Sequence, residues 1–401
     1  MVDAARPLSI YLVAGEESGD ALGAALASAL KKRMGGALQI DGVGGRAMAS
    51  AGIVSPFSID DLSVIGLSGL AQRLPTILRR IRETAHAIVA ARPDALVIID
   101  SPDFTHRVAR QVRRFAPAIP ILDYVSPTVW AWRPWRARAM RAYVDAVLAI
   151  LPFEPAVYTQ LGGPPCLYVG HPLTERLAEL RPNADEARRR SADPPLVLVL
   201  PGSRSSEIRR LSAVFGAAIA QLAANSGPIE FVLPTVPHLL QRVREGLAGS
   251  AVKPRIVVEP TDKWAAFRTA RAAVAASGTV TLELALANVP MVAAYKVPLI
   301  EEIVMRLHSP LKTVILANIV IGESVVPEFL QRDCTPENLA AALAPLLADG
   351  PERARQIAAF ARLDEIMTLD NAPSATAAAA VLEVARRGRR DIVAPTKLEQ
   401  Y

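Results

Sequence analysis

Four short clusters of hydroxyls, glycines and charged side chains in this 401-residue chain each follow directly on a run of apolar residues. Gly15-Glu16-Glu17-Ser18-Gly19-Asp20 follows residues 9–14, and Asp100-Ser101-Pro102-Asp103 follows 95–99. Pro201-Gly202-Ser203-Arg204-Ser205-Ser206-Glu207-Ile208 follows 196–200, and Ser277-Gly278-Thr279 with Glu283 follows 272–275. A tight Gly-Ser turn between strand and helix leaves backbone N–H groups pointing outward for an oxyanion. Arg204 adds a planar donor fork suited to phosphate. The Ser277-Gly278-Thr279 turn would offer N–H groups and hydroxyls to a diphosphate. Glu283, one turn later on the same face, could accept from ribose hydroxyls. Two anion-binding turns in one half of a chain point to a nucleotide diphosphate, with simple N-capping by Ser or Thr as the plain alternative.

The other two clusters are acidic. Glu16 and Glu17 would repel a phosphate, so the turn from Gly15 to Asp20 better suits sugar hydroxyls or a positioned amide. Helix capping by Ser18 or Asp20 competes with that reading. Asp100 stands at a strand's C-terminal end, where a partly desolvated carboxylate can act as general base on an acceptor hydroxyl. Asp103 is the better candidate for capping the next helix. Three of the four tryptophans fall at Trp130, Trp132 and Trp135, beside Arg133. Aromatic faces with a neighbouring guanidinium suit sugar rings, acyl chains or phosphate, and a core anchor is the alternative. His171, within Val169-Gly170-His171-Pro172, is a further candidate cleft residue, and no metal-ligand spacing occurs.

The elements that position these groups alternate between strand-like and helix-like patterns, the mark of parallel sheets wrapped by helices. Strands are expected at 9–14, 39–43, 95–99, 119–125 and 146–151, then at 196–200, 230–233, 255–258, 272–275 and 290–294. Helices are expected at 21–32 and 336–347 and through 351–388. The Pro/Gly-rich stretch 165–180 reads as an inter-domain linker. Residues 60–87 are leucine-rich with interspersed arginines, interrupted at Gly66, Gly69 and Pro75. That segment is expected not to be one uniform helix, and it could lie in a membrane interface or pack on its own sheet.

At 51% hydrophobic and 21% charged, the composition is that of a globular protein long enough for two domains. The formal charge of +6 suits an acidic partner such as nucleotide phosphate or an anionic membrane face. No RNA-recognition, zinc-finger or helix-turn-helix signature points to nucleic acid. Two cysteines, Cys166 and Cys334, exclude a disulfide framework and fit a reducing compartment. No apolar run reaches the length needed to span a bilayer, and the first residues show no secretory apolar region.

Across nearly its whole length the chain resembles bacterial lipid-A-disaccharide synthases. The resemblance rests on an ordered set. It begins with Gly15-Glu16-Glu17-Ser18-Gly19-Asp20, Gly44-Gly45-Arg46-Ala47-Met48 and Ile99-Asp100-Ser101-Pro102-Asp103-Phe104. Tyr124-Val125-Ser126-Pro127, Val129-Trp130-Ala131-Trp132-Arg133, Leu151-Pro152-Phe153-Glu154 and Val169-Gly170-His171-Pro172 continue it. Leu200-Pro201-Gly202-Ser203-Arg204, Ser277-Gly278-Thr279 with Leu282-Glu283, and Asn318-Ile319 with Pro327-Glu328-Phe329-Leu330-Gln331 complete it. Glu17 stands where a small residue is common, 64–69 lack a familiar acid, and 306–313 show no firm match.

The resemblance implies an α/β protein of the GT-B fold: two Rossmann-like domains facing across a cleft, with a C-terminal helix crossing back to the first. An acceptor- and membrane-binding domain of 1–172, completed by about 365–388, and a UDP-sugar-binding domain of 173–364 are expected. The implied reaction is inverting transfer from UDP-2,3-diacylglucosamine to 2,3-diacylglucosamine 1-phosphate (lipid X), on the cytoplasmic face of the inner membrane and without a cofactor. Asp100 would be the base. Arg204, Ser277, Gly278, Thr279, Glu283, Asn318 and Gln331 would hold the donor; Glu16, Ser18, Asp20, Trp132 and Arg133 would shape the acceptor side. A homodimer exchanging C-terminal elements is also implied. The rival readings are a UDP-sugar 2-epimerase and a non-catalytic, membrane-associated nucleotide-sugar-binding protein.

Overall fold

The computed structural model describes residues 6–62, 67–298 and 313–389, with the side chains of 67–73 left aside. The expectations for 64–66, and those for 306–312 with His308 and Lys312, lie outside the described residues. The chain divides into two compact units, Met1–Pro172 with Leu369–Tyr401, and Leu173–Thr368.

The first unit is built on six parallel strands: β1 Leu8–Ala14, β2 Leu38–Val43, β3 Ala95–Ile99, β4 Ile121–Tyr124, β5 Ala146–Ala149 and β6 Cys166–Tyr168, in the order β2-β1-β3-β4-β5-β6. β3 is buried at every position, as a central parallel strand covered on both faces must be. Tyr11 and Val13 face one apolar cluster while Ile10 and Leu12 face another, following the two-residue side-chain period. β1 leads sideways to β2, after which the chain returns to β3 on the other side of β1. The switch point therefore lies between β1 and β3, where Ala14 is in register with Ile99. Ligands of open α/β sheets bind at the carboxyl ends there. The first two acidic clusters both start at that edge.

The C-terminal helix Pro373–Arg387 belongs to this unit, with Ala377, Ala378, Val381 and Leu382 buried against Leu26 and Leu30. Gly170 has φ 92°, and a Cβ there would lie 2.8 Å from Pro373 Cγ. Only glycine admits the returning chain at that distance.

The second unit repeats the plan with β7 Leu196–Leu200, β8 Glu230–Pro234, β9 Arg255–Val257, β10 Ala272–Ala276, β11 Met291–Tyr295 and β12 Glu328–Leu330, in the order β12-β11-β10-β7-β8-β9. Its switch point falls between β7 and β10, from which the turns at 201–204 and 277–279 depart.

Two expectations need correction, and one strand, β12, was not expected. Residues 166–168 are a sheet-edge strand rather than linker, because Val147 pairs with Cys166. β12 has too few residues to show a period. The segment 60–87 is not one uniform helix, as expected, since Ile59–Leu62 is a separate 3-10 turn, but Gly69 and Pro75 do not interrupt the helix Leu67–Ala91. Proline removes a single backbone bond there, and the buried face of Ile81, Ala85 and Ile88 outweighs that loss.

Candidate active site

β3 passes into the helix Pro102–Phe115 through two consecutive left-handed residues, Asp100 at φ 51° and Ser101 at φ 47°. Such a conformation costs about 1–2 kcal/mol for each non-glycine residue, and it concentrates where geometry serves chemistry. The turn holds the Asp100 carboxylate at the strand's end. Oδ1 accepts the Ser101 N–H at 2.7 Å, and Oδ2 accepts the Ser18 hydroxyl at 2.7 Å. About two of the four lone-pair positions of the carboxylate are thereby used, leaving capacity for further donors. The Ser101 hydroxyl donates to Glu16 at 3.3 Å. Glu16, Ser18 and Asp100 thus converge from two elements. Glycines permit this: a Cβ on Gly15 would meet Ser101 Oγ at 2.8 Å, and one on Gly19 would meet the Ile99 carbonyl at 3.0 Å.

Asp20 has a different place. It is buried and accepts the backbone N–H groups of Gly45, Ala47 and Met48 at 2.7, 2.8 and 3.0 Å. Expected on the acceptor side, Asp20 caps the short helix Arg46–Ser50 from a distance in sequence, its oxygens answering backbone donors that are partly or fully shielded from water. Asp20 also lines a pocket of about 820 Å³, together with Glu17, Arg46, Val54, Phe57 and Asp60.

The tryptophan segment divides. The Trp130 indole N–H donates to Glu154 at 3.2 Å, and Glu154 also accepts the Leu151 N–H at 3.0 Å. Burial pushes the Glu154 carboxyl up to about 7. Trp132 stays exposed, with the Arg133 guanidinium 3.8 Å from its ring centroid and Arg133 itself at φ 56°. Trp132 and Arg133 therefore remain open to a ligand, whereas Trp130 is pinned. His171 is buried, and desolvation lowers its pKa to about 4, so the ring is neutral.

In the second unit a pocket of about 350 Å³ opens at the switch point, lined by both turns and by Arg204, Glu207, Lys263 and Glu283. The Ser277-Gly278-Thr279 turn starts the helix Thr279–Leu286, with Gly278 at φ 156°. Ser277 also lines the pocket, but its hydroxyl proton goes to the Val314 carbonyl at 3.0 Å, which fixes the turn and leaves that hydroxyl only its acceptor lone pairs. Gly278, Thr279 and Val280 border the pocket at the positive end of the helix. Glu283 borders it too, accepting from Lys263 Nζ at 3.0 Å. Lys263 escaped the sequence reading, since a lysine in an ordinary helix carries no local signal.

The other turn is already occupied. Glu207 Oε2 accepts the N–H groups of Ser203 and Arg204 at 3.0 and 3.1 Å, and Arg204 Nη1 reaches Glu207 Oε1 at 3.1 Å. Its backbone donors are thus answered by a carboxylate four residues on, and the exposed Arg204 side chain is what this turn offers an anion. Asn318 and Gln331, expected in the nucleotide pocket, brace loops instead. Buried Asn318 bonds the N–H groups of Val325 and Val326 and the Val326 carbonyl at 2.9–3.1 Å. Gln331, at φ 51°, pairs with the Val297 N–H at 2.8 Å and its carbonyl at 3.2 Å. Neither is among the pocket's described lining residues.

Two six-stranded parallel units, each with its polar turns at a switch point, give the chain the GT-B fold, which glycosyltransferases and sugar-nucleotide epimerases share. UDP-GlcNAc 2-epimerase from Neisseria meningitidis, bound to UDP-GlcNAc, superimposes with a TM-score of 0.60 at 11% identity over 95% of this chain and 100% of that one. MurG from Acinetobacter baumannii gives 0.58 at 15% identity over 94% and 99%. At these identities the likeness is one of fold. Sequence carries the rest: residues 10–381 match the lipid-A-disaccharide synthetase family, to which this chain belongs. The lipid-A-disaccharide synthase of Bradyrhizobium diazoefficiens is 59% identical over 95% of this chain and 97% of its own length. That of Rhodospirillum centenum is 43% identical over 94% and 95%.

Proposed function

We propose that the chain joins UDP-2,3-diacylglucosamine to 2,3-diacylglucosamine 1-phosphate by direct, inverting displacement in lipid A biosynthesis. Asp100 accepts the proton of the acceptor's 6-hydroxyl as that oxygen attacks the donor's anomeric carbon. The bond from that carbon to the diphosphate breaks, and UDP leaves with the electron pair. The products are the β-1,6-linked tetraacyl disaccharide 1-phosphate and UDP.

The observation that carries this reading is the Asp100 carboxylate, fixed at 2.7 Å by both Ser18 and Ser101 in a doubly left-handed turn. Glu16 and Ser18 then orient the acceptor sugar, and Trp132 and Arg133 offer it an exposed face. The neighbouring pocket sets Val54 and Phe57 beside Glu17, Asp20, Arg46 and Asp60, a mixed apolar and mainly acidic lining suited to acyl chains and sugar hydroxyls. In the second unit the N-terminus of Thr279–Leu286, with Arg204 swinging from Glu207, takes the diphosphate, and Glu283 takes ribose hydroxyls. One such donor is worth on the order of 3 kcal/mol of barrier, roughly a hundredfold in rate.

The test is UDP release in detergent from the diacylated donor, with and without acceptor and with chelator present. Acceptor-dependent UDP and a disaccharide phosphate are expected. Asp100→Asn should lower kcat by a hundredfold or more while UDP affinity stays within about threefold of wild type. A near-wild-type rate in that variant removes Asp100 as base.

The protein is further inferred to work as a peripheral enzyme on the cytoplasmic face of the inner membrane. Among the described residues no helix is long and apolar enough to cross a membrane. Leu74 and Leu78, one turn apart on Leu67–Ala91, are exposed beside Arg79 and Arg82.

A further inference from the structure

Charge in the second unit's pocket is balanced pair by pair. Among the described lining residues the ionic groups are two cations, Arg204 and Lys263, and two carboxylates, Glu207 and Glu283, so the sum is zero. The pairs are unequal in freedom. Arg204 reaches Glu207 with a side chain 76% exposed, whereas Lys263 and Glu283 are 32% and 17% exposed. Glu207 keeps two backbone N–H groups when Arg204 leaves it. Lys263 is held from several sides: its Nζ lies 3.0 Å from Glu283 Oε2, 4.1 Å from the Trp264 ring centroid and 5.3 Å from that of Phe267. The Trp264 ring also carries the Arg176 guanidinium at 4.7 Å, so it is itself clamped. A cation seated over two aromatic rings and bonded to a half-buried carboxylate is built to stay in place.

We propose that Lys263 is a positioning residue for donor binding: it neutralises Glu283, so that a carboxylate aimed at the nucleotide sugar can share a pocket with a diphosphate. This rests on the reading of the pocket as the UDP site. Without Lys263 the lining carries one uncompensated negative charge facing a ligand of the same sign, in a site shielded enough for that repulsion to matter. Lys263 thus acts through Glu283 and needs no contact with substrate.

The experiment is calorimetric titration of UDP and of uncharged uridine into wild type, Lys263→Met, Lys263→Arg and Lys263→Met/Glu283→Gln, each checked for folding by circular dichroism. Lys263→Met should weaken UDP about tenfold and uridine less than threefold, and Lys263→Arg should restore UDP to within about threefold. The double variant should bind UDP more tightly than Lys263→Met alone, because removing the stranded charge relieves the repulsion. In turnover, Lys263→Met should raise KM for the donor with little change in kcat. Equal losses for UDP and uridine, or a double variant no better than Lys263→Met, overturn the proposal. Wild-type protein that binds no UDP overturns the pocket assignment instead, which keeps the two failures apart.

Discussion

At the residue scale, the same side-chain types serve as ligands or as braces according to what surrounds them. Asp100 and Asp20 are both carboxylates near the carboxyl ends of one sheet's strands. Asp100 keeps open lone pairs, while both oxygens of Asp20 are taken by three backbone donors. Removing Asp20 strands those donors at the start of Arg46–Ser50. Asp20→Ala should therefore destabilise the protein by on the order of 3 kcal/mol, read as a lower denaturant midpoint. Donor KM should stay unchanged in the same variant, and the acceptor KM should rise less than threefold; a large rise would return Asp20 to the substrate. Glu207 and Asn318 teach the same lesson, since each answers backbone N–H groups that local sequence would assign to a ligand or to solvent.

At the element scale, the segments after β5 and β6 carry two buried titratable groups, Glu154 at the start of the helix Glu154–Gln160 and His171, with opposite responses to pH. Burial raises Glu154 to about 7, so between its unfolded value near 4.5 and 7 the folded state binds more protons than the unfolded chain. Stability from Glu154 is present at low pH and falls as pH rises through that window. Burial lowers His171 to about 4, so between 4 and its unfolded value near 6.5 the folded state binds fewer protons. Its contribution rises over that window. Each slope is at most about 1.4 kcal/mol per pH unit. The two oppose each other from about pH 4.5 to 6.5, and the wild type should show a shallow profile there. Glu154→Gln should uncover a rise of stability with pH over this range, measured by urea unfolding at half-unit steps. A profile parallel to wild type would mean that Glu154 does not titrate where its burial places it.

At the scale of the whole molecule, a positive formal charge of +6 and a pair of exposed leucines flanked by arginines bear on where the enzyme works. Binding of the purified protein to vesicles containing anionic lipid should exceed binding to neutral vesicles at least fivefold in low salt. That difference should fall sharply near 0.5 M salt, where the Debye length is only a few ångströms. Leu74→Ser/Leu78→Ser should weaken sedimentation with vesicles while leaving turnover in detergent near wild type. Equal binding to both vesicle types would remove the anionic-surface reading.

The sequence alone settles what is local. Apolar runs such as 95–99 and 196–200 are long enough and apolar enough to be buried strands, and the clusters that follow them mark the strand ends. The ordered motifs from Gly15 to Gln331 are specific enough to show the family resemblance. Partnership is decided only in three dimensions, because it depends on what the fold brings near. Lys263 meets Glu283 across 20 residues, Ser18 meets Asp100 across 82, and the helix Pro373–Arg387 buries Val381 and Leu382 against Leu26 and Leu30. Whether a polar group is free for a ligand depends on whether a buried donor already claims it. That is a property of the packed chain, because the cost of an unanswered N–H arises only once water has been excluded.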